Sequence, residues 1–387
     1  MSKLRLLHIA SFSGNIGDNA NHIGYRDWLQ CLSEHPIAWS ELEIREFFWR
    51  ERAWDADFVD YANSFDGLVI GGGNYFELWV ENSPTGTSIA IAPELWAQIK
   101  VPVYFNALGV DPGQGVPNAC RARFTGFLDT LLADDNVLVS VRNDGAKKNL
   151  SEHIGAAYAD SVLHAPDNGF FADFQPAEGI PFFSDTNVKR IVTMNLASDM
   201  AEIRFAGLND GVDGFAKEIA EAIGTLSERD PSLGFLFAPH IFRDLDIVSR
   251  VIDRLPDRIR RTRVAQTPYG SGNAAARSVF GLYAASDLCV GTRFHANVVP
   301  IGNLRQTLGL VCYPQISALY DELGQPDRCI DASRPGFGDI LAERMEDALY
   351  SPETKFSGTP ANALDTATRL RDNIENQVQN WINSFAQ

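Results

Sequence analysis

The chain has 387 residues, of which 45% are hydrophobic and 21% charged, and its formal net charge is −17. Such acidity argues against sequence-independent nucleic-acid binding, which needs clustered Lys and Arg to displace counterions from phosphates, and it obliges any anionic substrate to find a local basic pocket. The length exceeds what one hydrophobic core usually serves, so two domains are expected, and no apolar run approaches the roughly 20 residues of a membrane span.

The N-terminal MSKLRLLHIA carries two positive charges and an apolar run, as a signal peptide would. His8 interrupts the run and a Gly/Asn/Asp turn follows without a small-residue cleavage pattern, so the segment reads as the first strand, 4 to 10. Short apolar runs then alternate with helical patterns, the signature of a parallel sheet with crossover helices. The expected strands are LEIREFF (42 to 48), GLVIG (67 to 71), VPVYFNAL (101 to 108) and VLVSVR (137 to 142). The irregular, Pro- and Phe-bearing stretch 164 to 185 is the expected linker. A second series follows: RIVTMNL (190 to 196), GFLFAPH (234 to 240), RTRVAQ (261 to 266), DLCVGTR (287 to 293) and TLGLVCY (307 to 313). Leu364, Ala367, Leu370, Ile374, Val378, Trp381 and Phe385 recur at intervals of three and four, which predicts a C-terminal helix packed on the body. The domain ranges that follow are 1–175, 186–358 and, for the terminal helix, 359–387.

The five cysteines, Cys31, Cys120, Cys289, Cys312 and Cys329, are spread apart with no C-x-x-C pair. They read as core thiols in a reducing compartment, with no disulfide frame and no metal site, so a cytoplasmic enzyme without a metal is expected.

Six segments could carry chemistry. SFSGNIGDNA follows the first strand: Gly14 and Gly17 allow tight turning, Asn15 tolerates it, and Asp18 is placed to cap a helix starting near Asn19. In GLVIGGGNYFE, Gly72, Gly73 and Asn74 could let backbone approach a ligand, although the run is neither a P-loop nor a dinucleotide fingerprint. Arg142 ends VLVSVR, where a ligand or the neighbouring Asp144 would serve equally well as its partner. His240 and Asp244 follow GFLFAPH, Asp244 also suiting a helix cap. PYGSGNAAARS reads as a helix-entry loop, because Pro268 and Tyr269 loosen its G-x-G-x-x-A turn. Finally, GTRFHAN sets Arg293 and His295 two positions apart after a short apolar run. At a strand-to-helix turn two such side chains can converge on an anion, whereas two positions apart on a helix they diverge.

Taken in order, GNIGDNA, VIGGGNYF, VSVRND, PHIFRD, the Arg-x-His of SDLCVGTRFHANVVPIGN and the Tyr313 segment VCYPQ resemble the polysaccharide pyruvyltransferase family. The resemblance covers most of residues 10 to 325 and departs at one point: a lysine frequent in the family shortly after the tyrosine is absent from PQISALYDE. It implies an α/β fold of two Rossmann-like domains in a glycosyltransferase-B-like arrangement with an interdomain cleft, the acceptor on the N-terminal side and the donor on the C-terminal side. It also implies phosphoenolpyruvate as co-substrate, no further cofactor, and a sugar acceptor, lipid-linked or polymeric.

A donor carrying carboxylate and phosphate needs fixed cations, for which Arg142 and Arg293 are the candidates, with Asn15, Gly17, Gly72, Gly73, Asn74 and Tyr313 as further binding positions. His295 would transfer a proton or touch phosphate, and Asp18 or His240 would accept hydroxyl protons. Two alternatives stand beside this: a nucleotide-sugar glycosyltransferase of the same fold, and a catalytically silent glycan-binding protein.

Overall fold

The computed structural model describes residues 3–183 and 186–386. It contains two compact units, one made by the described residues of Met1–Phe12, Gly24–Asn168 and Ala367–Gln387, the other by Ser13–Ile23 and Gly169–Thr366. This division departs from contiguous domains in an informative way. The loop and first helical turns after the first strand, Ser13–Ile23, group with the second unit, and the C-terminal helix changes unit at Thr366.

The first unit holds strands β1 (Leu4–Ala10), β2 (Ile37–Glu43), β3 (Gly67–Gly71), β4 (Val103–Leu108), β5 (Val137–Arg142) and β6 (Leu163–Ala165), all parallel, in the order β2-β1-β3-β4-β5-β6. The second holds β7 (Arg190–Asn195), β8 (Leu233–Phe237), β9 (Val264–Gln266), β10 (Leu288–Gly291), β11 (Gln306–Val311) and β12 (Cys329–Asp331), again parallel, in the order β9-β8-β7-β10-β11-β12. Each is a Rossmann-like unit. The helices that matter below are α1 (Ile16–Leu32), α2 (Asn118–Leu132), α3 (Gly211–Arg229), α4 (Asp244–Arg254), α5 (Gly272–Ala284), α6 (His295–Gly302), α7 (Phe337–Tyr350) and α8 (Pro360–Asn383).

Strand alternation explains the layering. Leu7 and Ile9, Leu68 and Ile70, Val103 and Phe105, and Val139 and Val141 share one face of the first sheet with Phe124, Leu128 and Leu131 of α2. Leu4, Leu6, Val69 and Tyr104 point the other way, onto Tyr25 and Leu29 of α1 and Ile374, Val378, Trp381 and Ile382 of α8. In the second unit Val192, Met194, Phe235, Phe237, Val290, Leu308 and Leu310 meet α3, α4 and α7. On the opposite side Ile16, Ala20 and Ile23 pack with Phe280 and Tyr283 of α5 and Ala296 and Val299 of α6. The apolar face of the first turns of α1 is thus spent on the second unit, which fixes the SFSGNIGDNA loop beside the GTRFHAN turn.

Most expected strands form. LEIREFF does not: β2 occupies Ile37–Glu43, and Arg45–Trp49 is a short helix in which Glu46 and Phe47 are half-buried and Arg45, Phe48 and Trp49 exposed. The expected linker is partly structured, with β6, the 3₁₀ turns Asn168–Phe171 and Pro181–Phe183, and a last pair, Ser184 and Asp185, that lies outside the described residues. No helix among the described residues is long and apolar enough to cross a membrane.

Candidate active site

In the second sheet, β7 and β10 are hydrogen-bonded neighbours, and the chain winds outward from them in opposite directions. Open α/β sheets bind ligands outside the carboxyl ends of the strands at such a reversal point. The segments leaving it are Leu196–Asp199, after β7, and Thr292–His295, after β10.

Asn195, the last residue of β7, accepts from the Arg293 backbone N–H through Oδ1 (3.2 Å), and its carbonyl accepts from Thr292 N–H (3.0 Å). The Arg293 side chain turns into a pair of carboxylates. Nε donates to Asp244 Oδ2 at 2.8 Å, and Nη2 donates to Asp244 Oδ1 and to Asp199 Oδ1, both at 2.5 Å. Burial opposes the Arg293 charge, but Asp244 and Asp199 more than offset it and keep the guanidinium protonated. Asp244 is fully buried and also accepts the backbone N–H groups of His240 (2.9 Å) and Ile241 (3.2 Å), so it ties the loop after β8 to the turn after β10. Arg204 donates to the Asp199 carbonyl (2.9 Å) and carboxylate (3.5 Å), and its guanidinium lies over the Tyr313 ring at 5.5 Å. Asp199 and Asp244 therefore balance Arg204 and Arg293 in a charge-neutral network.

His295 opens α6 and is 6% exposed. Its Nδ1 lies 3.8 Å from Asp18 Oδ1, and a Cβ added to Gly17 would come within 2.6 Å of that nitrogen. Gly17 is thus a packing requirement of the imidazole. Asn15 accepts the Gly17 N–H at 3.0 Å and caps α1, which begins at Ile16. The helix starts earlier than expected, and Asp18 sits in its first turn with its carboxylate toward His295, where it cannot be the cap. The Gly14 N–H donates to Ser271 Oγ (2.8 Å) at the entry to α5, and Asn19 donates to Asn273 (3.2 Å). The N-terminal ends of α1 and α5 are linked by these contacts and those of α1 and α6 by the approach of Asp18 to His295, and each end carries a partial positive charge of about half an elementary charge.

His240 is enclosed. It is fully buried, one ring nitrogen lies 3.0 Å from the Tyr283 hydroxyl, and Nδ1 has no partner among the described residues. Burial first, then the charges of Arg293 and His295, hold its pKa well below the usual imidazole value, so the ring is neutral. A substrate hydroxyl has no route to a ring with no exposed surface; His240 is a core histidine and not the expected hydroxyl-proton acceptor.

The first unit gives its residues local duties. Arg142 donates to Asp144 (2.9 and 2.7 Å) and to Asp167 (3.3 Å), with all three side chains buried. Arg142 is an ion-paired residue and not the open cation expected. Gly72 turns with φ +83°, and Gly73 leaves space that the Tyr75 ring fills, a Cβ there coming within 2.4 Å of it. The Tyr75 hydroxyl accepts the Ser11 N–H at 2.9 Å, and Asn74 donates to Asp111 at 2.8 Å. The glycine run serves packing of its own loop. Asp199, Arg204 and Tyr283 carry no signal that the sequence reading used, although an acid four residues beyond a buried strand end, as in MNLASD, is a usable one.

No protein-family model and no curated protein matches the chain. Solved structures do. It is similar to UDP-GlcNAc 2-epimerase from Neisseria meningitidis bound to UDP-GlcNAc (12% identity, 96% of this chain and 99% of that one, TM-score 0.54). It is also similar to a glycosyltransferase from Rickettsia africae (12% identity, 99% of each chain, TM-score 0.55). A third is UDP-GlcNAc 2-epimerase from Methanocaldococcus jannaschii in complex with UDP-GlcNAc and UDP (12% identity, 95% and 99%, TM-score 0.51). At such identities the likeness shows the fold, which is glycosyltransferase-B-like.

Proposed function

We propose that the protein is a phosphoenolpyruvate-dependent pyruvyltransferase that forms a pyruvate ketal on a sugar of a polysaccharide or its precursor. The observation that carries this reading is His295, held against Gly17 and facing Asp18 at the reversal point of the second sheet, beside Arg293. The ordered resemblance of the surrounding segments supports it. In the reaction the enol carbon is protonated, carbon two becomes electrophilic and a sugar hydroxyl adds; a second hydroxyl then displaces phosphate. His295 is the proton donor in the first step. Asp18 is the group that holds the imidazolium and takes back a hydroxyl proton. The linked N-termini of α1, α5 and α6 supply partial positive charge for phosphate, which an otherwise acidic chain needs locally.

A second reading, nucleotide-sugar glycosyl transfer, is favoured by one observation: the glycosyltransferase and two UDP-GlcNAc epimerases that share the fold. Incubation with a panel of sugar acceptors and either donor separates them. Acceptor-dependent phosphate release from phosphoenolpyruvate supports pyruvyl transfer. Release of nucleoside diphosphate from a nucleotide sugar, with phosphoenolpyruvate untouched, would transfer the assignment to the second reading.

A further inference from the structure

We propose that Arg204 and Arg293 form a carboxylate-binding subsite in which Asp199 is a resident stand-in for the ligand. The two carboxylates on Arg293 are not equivalent. Asp244 has no exposed surface and accepts two backbone N–H groups besides the guanidinium, so it is a fixed part of the fold. The Asp199 side chain is 28% exposed, and its carboxylate bonds to the two arginines. It stands on a segment anchored just before it, where Ser198 Oγ donates to the Arg243 carbonyl at 2.8 Å, and it precedes Met200, whose φ of +56° is costly for a side chain with a Cβ.

Each arginine also has a corner to spare. Among the described residues, Arg293 Nη1 and Arg204 Nη1 make no hydrogen bond, and neither is among the fully enclosed polar atoms that lack one. A guanidinium pair bridged by one displaceable carboxylate, with free N–H groups at a sheet reversal point, has the chemistry to take an incoming carboxylate in place of the aspartate. Displacement of Asp199 releases two cations at once and leaves Asp244 holding Arg293 in place. Arg204 enters the site from the short helical turn Ala201–Arg204 and lies over Tyr313, so the cation beside that tyrosine comes from a different segment than PQISALYDE. That the displacing anion is phosphoenolpyruvate rests on the pyruvyl-transfer reading; the subsite itself does not.

The test is calorimetric binding of oxalate, a small carboxylate with no phosphate, to the full-length protein and its variants, with phosphoenolpyruvate measured in parallel. Asp199→Asn removes the competitor's charge and is expected to tighten oxalate binding on the order of tenfold, the scale of one charge-assisted hydrogen bond. Arg204→Gln is expected to weaken it by a similar factor, and this variant decides the matter if Asp199→Asn does not fold. Unchanged or weaker oxalate binding in folded Asp199→Asn, no binding by that variant at all, or unchanged binding in Arg204→Gln overturns the subsite. The two readings fail separately. Oxalate tightened by Asp199→Asn without phosphoenolpyruvate turnover in the wild type keeps the subsite and rejects pyruvyl transfer. Turnover without any effect of the two substitutions does the reverse.

Discussion

Gly17→Ala offers the sharpest probe of the His295 site, because the perturbation is one methyl group aimed at one ring. The added carbon would lie 2.6, 2.7 and 2.8 Å from Nδ1, Cβ and Cγ of His295. Ordinary van der Waals contact begins near 3.4 Å, so the ring or the helix start must yield by about 0.6–0.8 Å. Gly17 does not have positive φ and stands in the first turn of α1, so the backbone itself accepts Ala and helix propensity even favours it, by up to about 1 kcal/mol. Overpacking costs about 1–3 kcal/mol. Net stability should therefore fall by no more than about 3 kcal/mol, while misplacement of a reacting group by nearly 1 Å costs roughly a hundredfold in turnover. Urea unfolding and steady-state turnover read the two effects apart. A double-mutant cycle removes the dependence on an assigned reaction: in a His295→Gly background all three clashing atoms, Cβ included, are gone, so Gly17→Ala should become neutral or stabilising, with a coupling of about 1–3 kcal/mol. Additive stabilities in the cycle, or wild-type turnover in Gly17→Ala, would refute the placement of the ring.

Other substitutions address the supporting network. Asp244→Ala leaves Arg293 buried beside a lone Asp199 and strips two backbone N–H groups of their acceptor, so unfolding free energy should drop by about 3–5 kcal/mol by urea titration; a loss under 1 kcal/mol would show that Asp244 is not the anchor described. His240 has a folded pKa below its unfolded value near 6.5, so the unfolded chain takes up a proton that the folded ring refuses. Its contribution to stability is complete above about pH 6.5 and declines as pH falls, by about 1.4 kcal/mol per pH unit, until the folded pKa is reached. His240→Gln should flatten that slope between pH 6.5 and 5 in urea unfolding, and an identical slope in both proteins would contradict a buried neutral ring.

Much of the fold was legible because parallel strands covered on both faces are short continuous apolar runs. GLVIG and VLVSVR were found within their true limits, and β10 and β11 within two residues of theirs. LEIREFF failed because two of the apolar residues that mark it, Phe47 and Phe48, belong to a short helix in which Phe48 is 82% exposed. β6 and β12, each three residues long, were not among the expected strands. The site was legible as a set of segments but not as pairs. The spacing of Arg293 and His295 pointed to a strand-to-helix turn, and α6 does begin at His295. That Gly17 faces this histidine depends on α1 spending Ile16, Ala20 and Ile23 on α5 and α6, a tertiary choice that local sequence does not encode.

The carboxylates paired with the two arginines bear on which of them could take the dianionic donor proposed above. Arg142 already serves two buried carboxylates, Asp144 and Asp167, in a cluster that is nearly inaccessible. Bringing a dianion to such a cluster sets like charges against each other in a medium of low effective dielectric, where a single unit-charge pair at 4 Å is worth about 4 kcal/mol. The network around Arg293 is neutral by count, two arginines to two aspartates, and one of its carboxylates is partly exposed. Exchanging that carboxylate for one on a ligand leaves the count unchanged. Under the pyruvyl-transfer proposal the remaining phosphate charge falls to the helix ends and His295, so that proposal predicts that Arg293→Ala weakens phosphoenolpyruvate binding more than Arg142→Ala does; equal effects in the two folded variants would refute it.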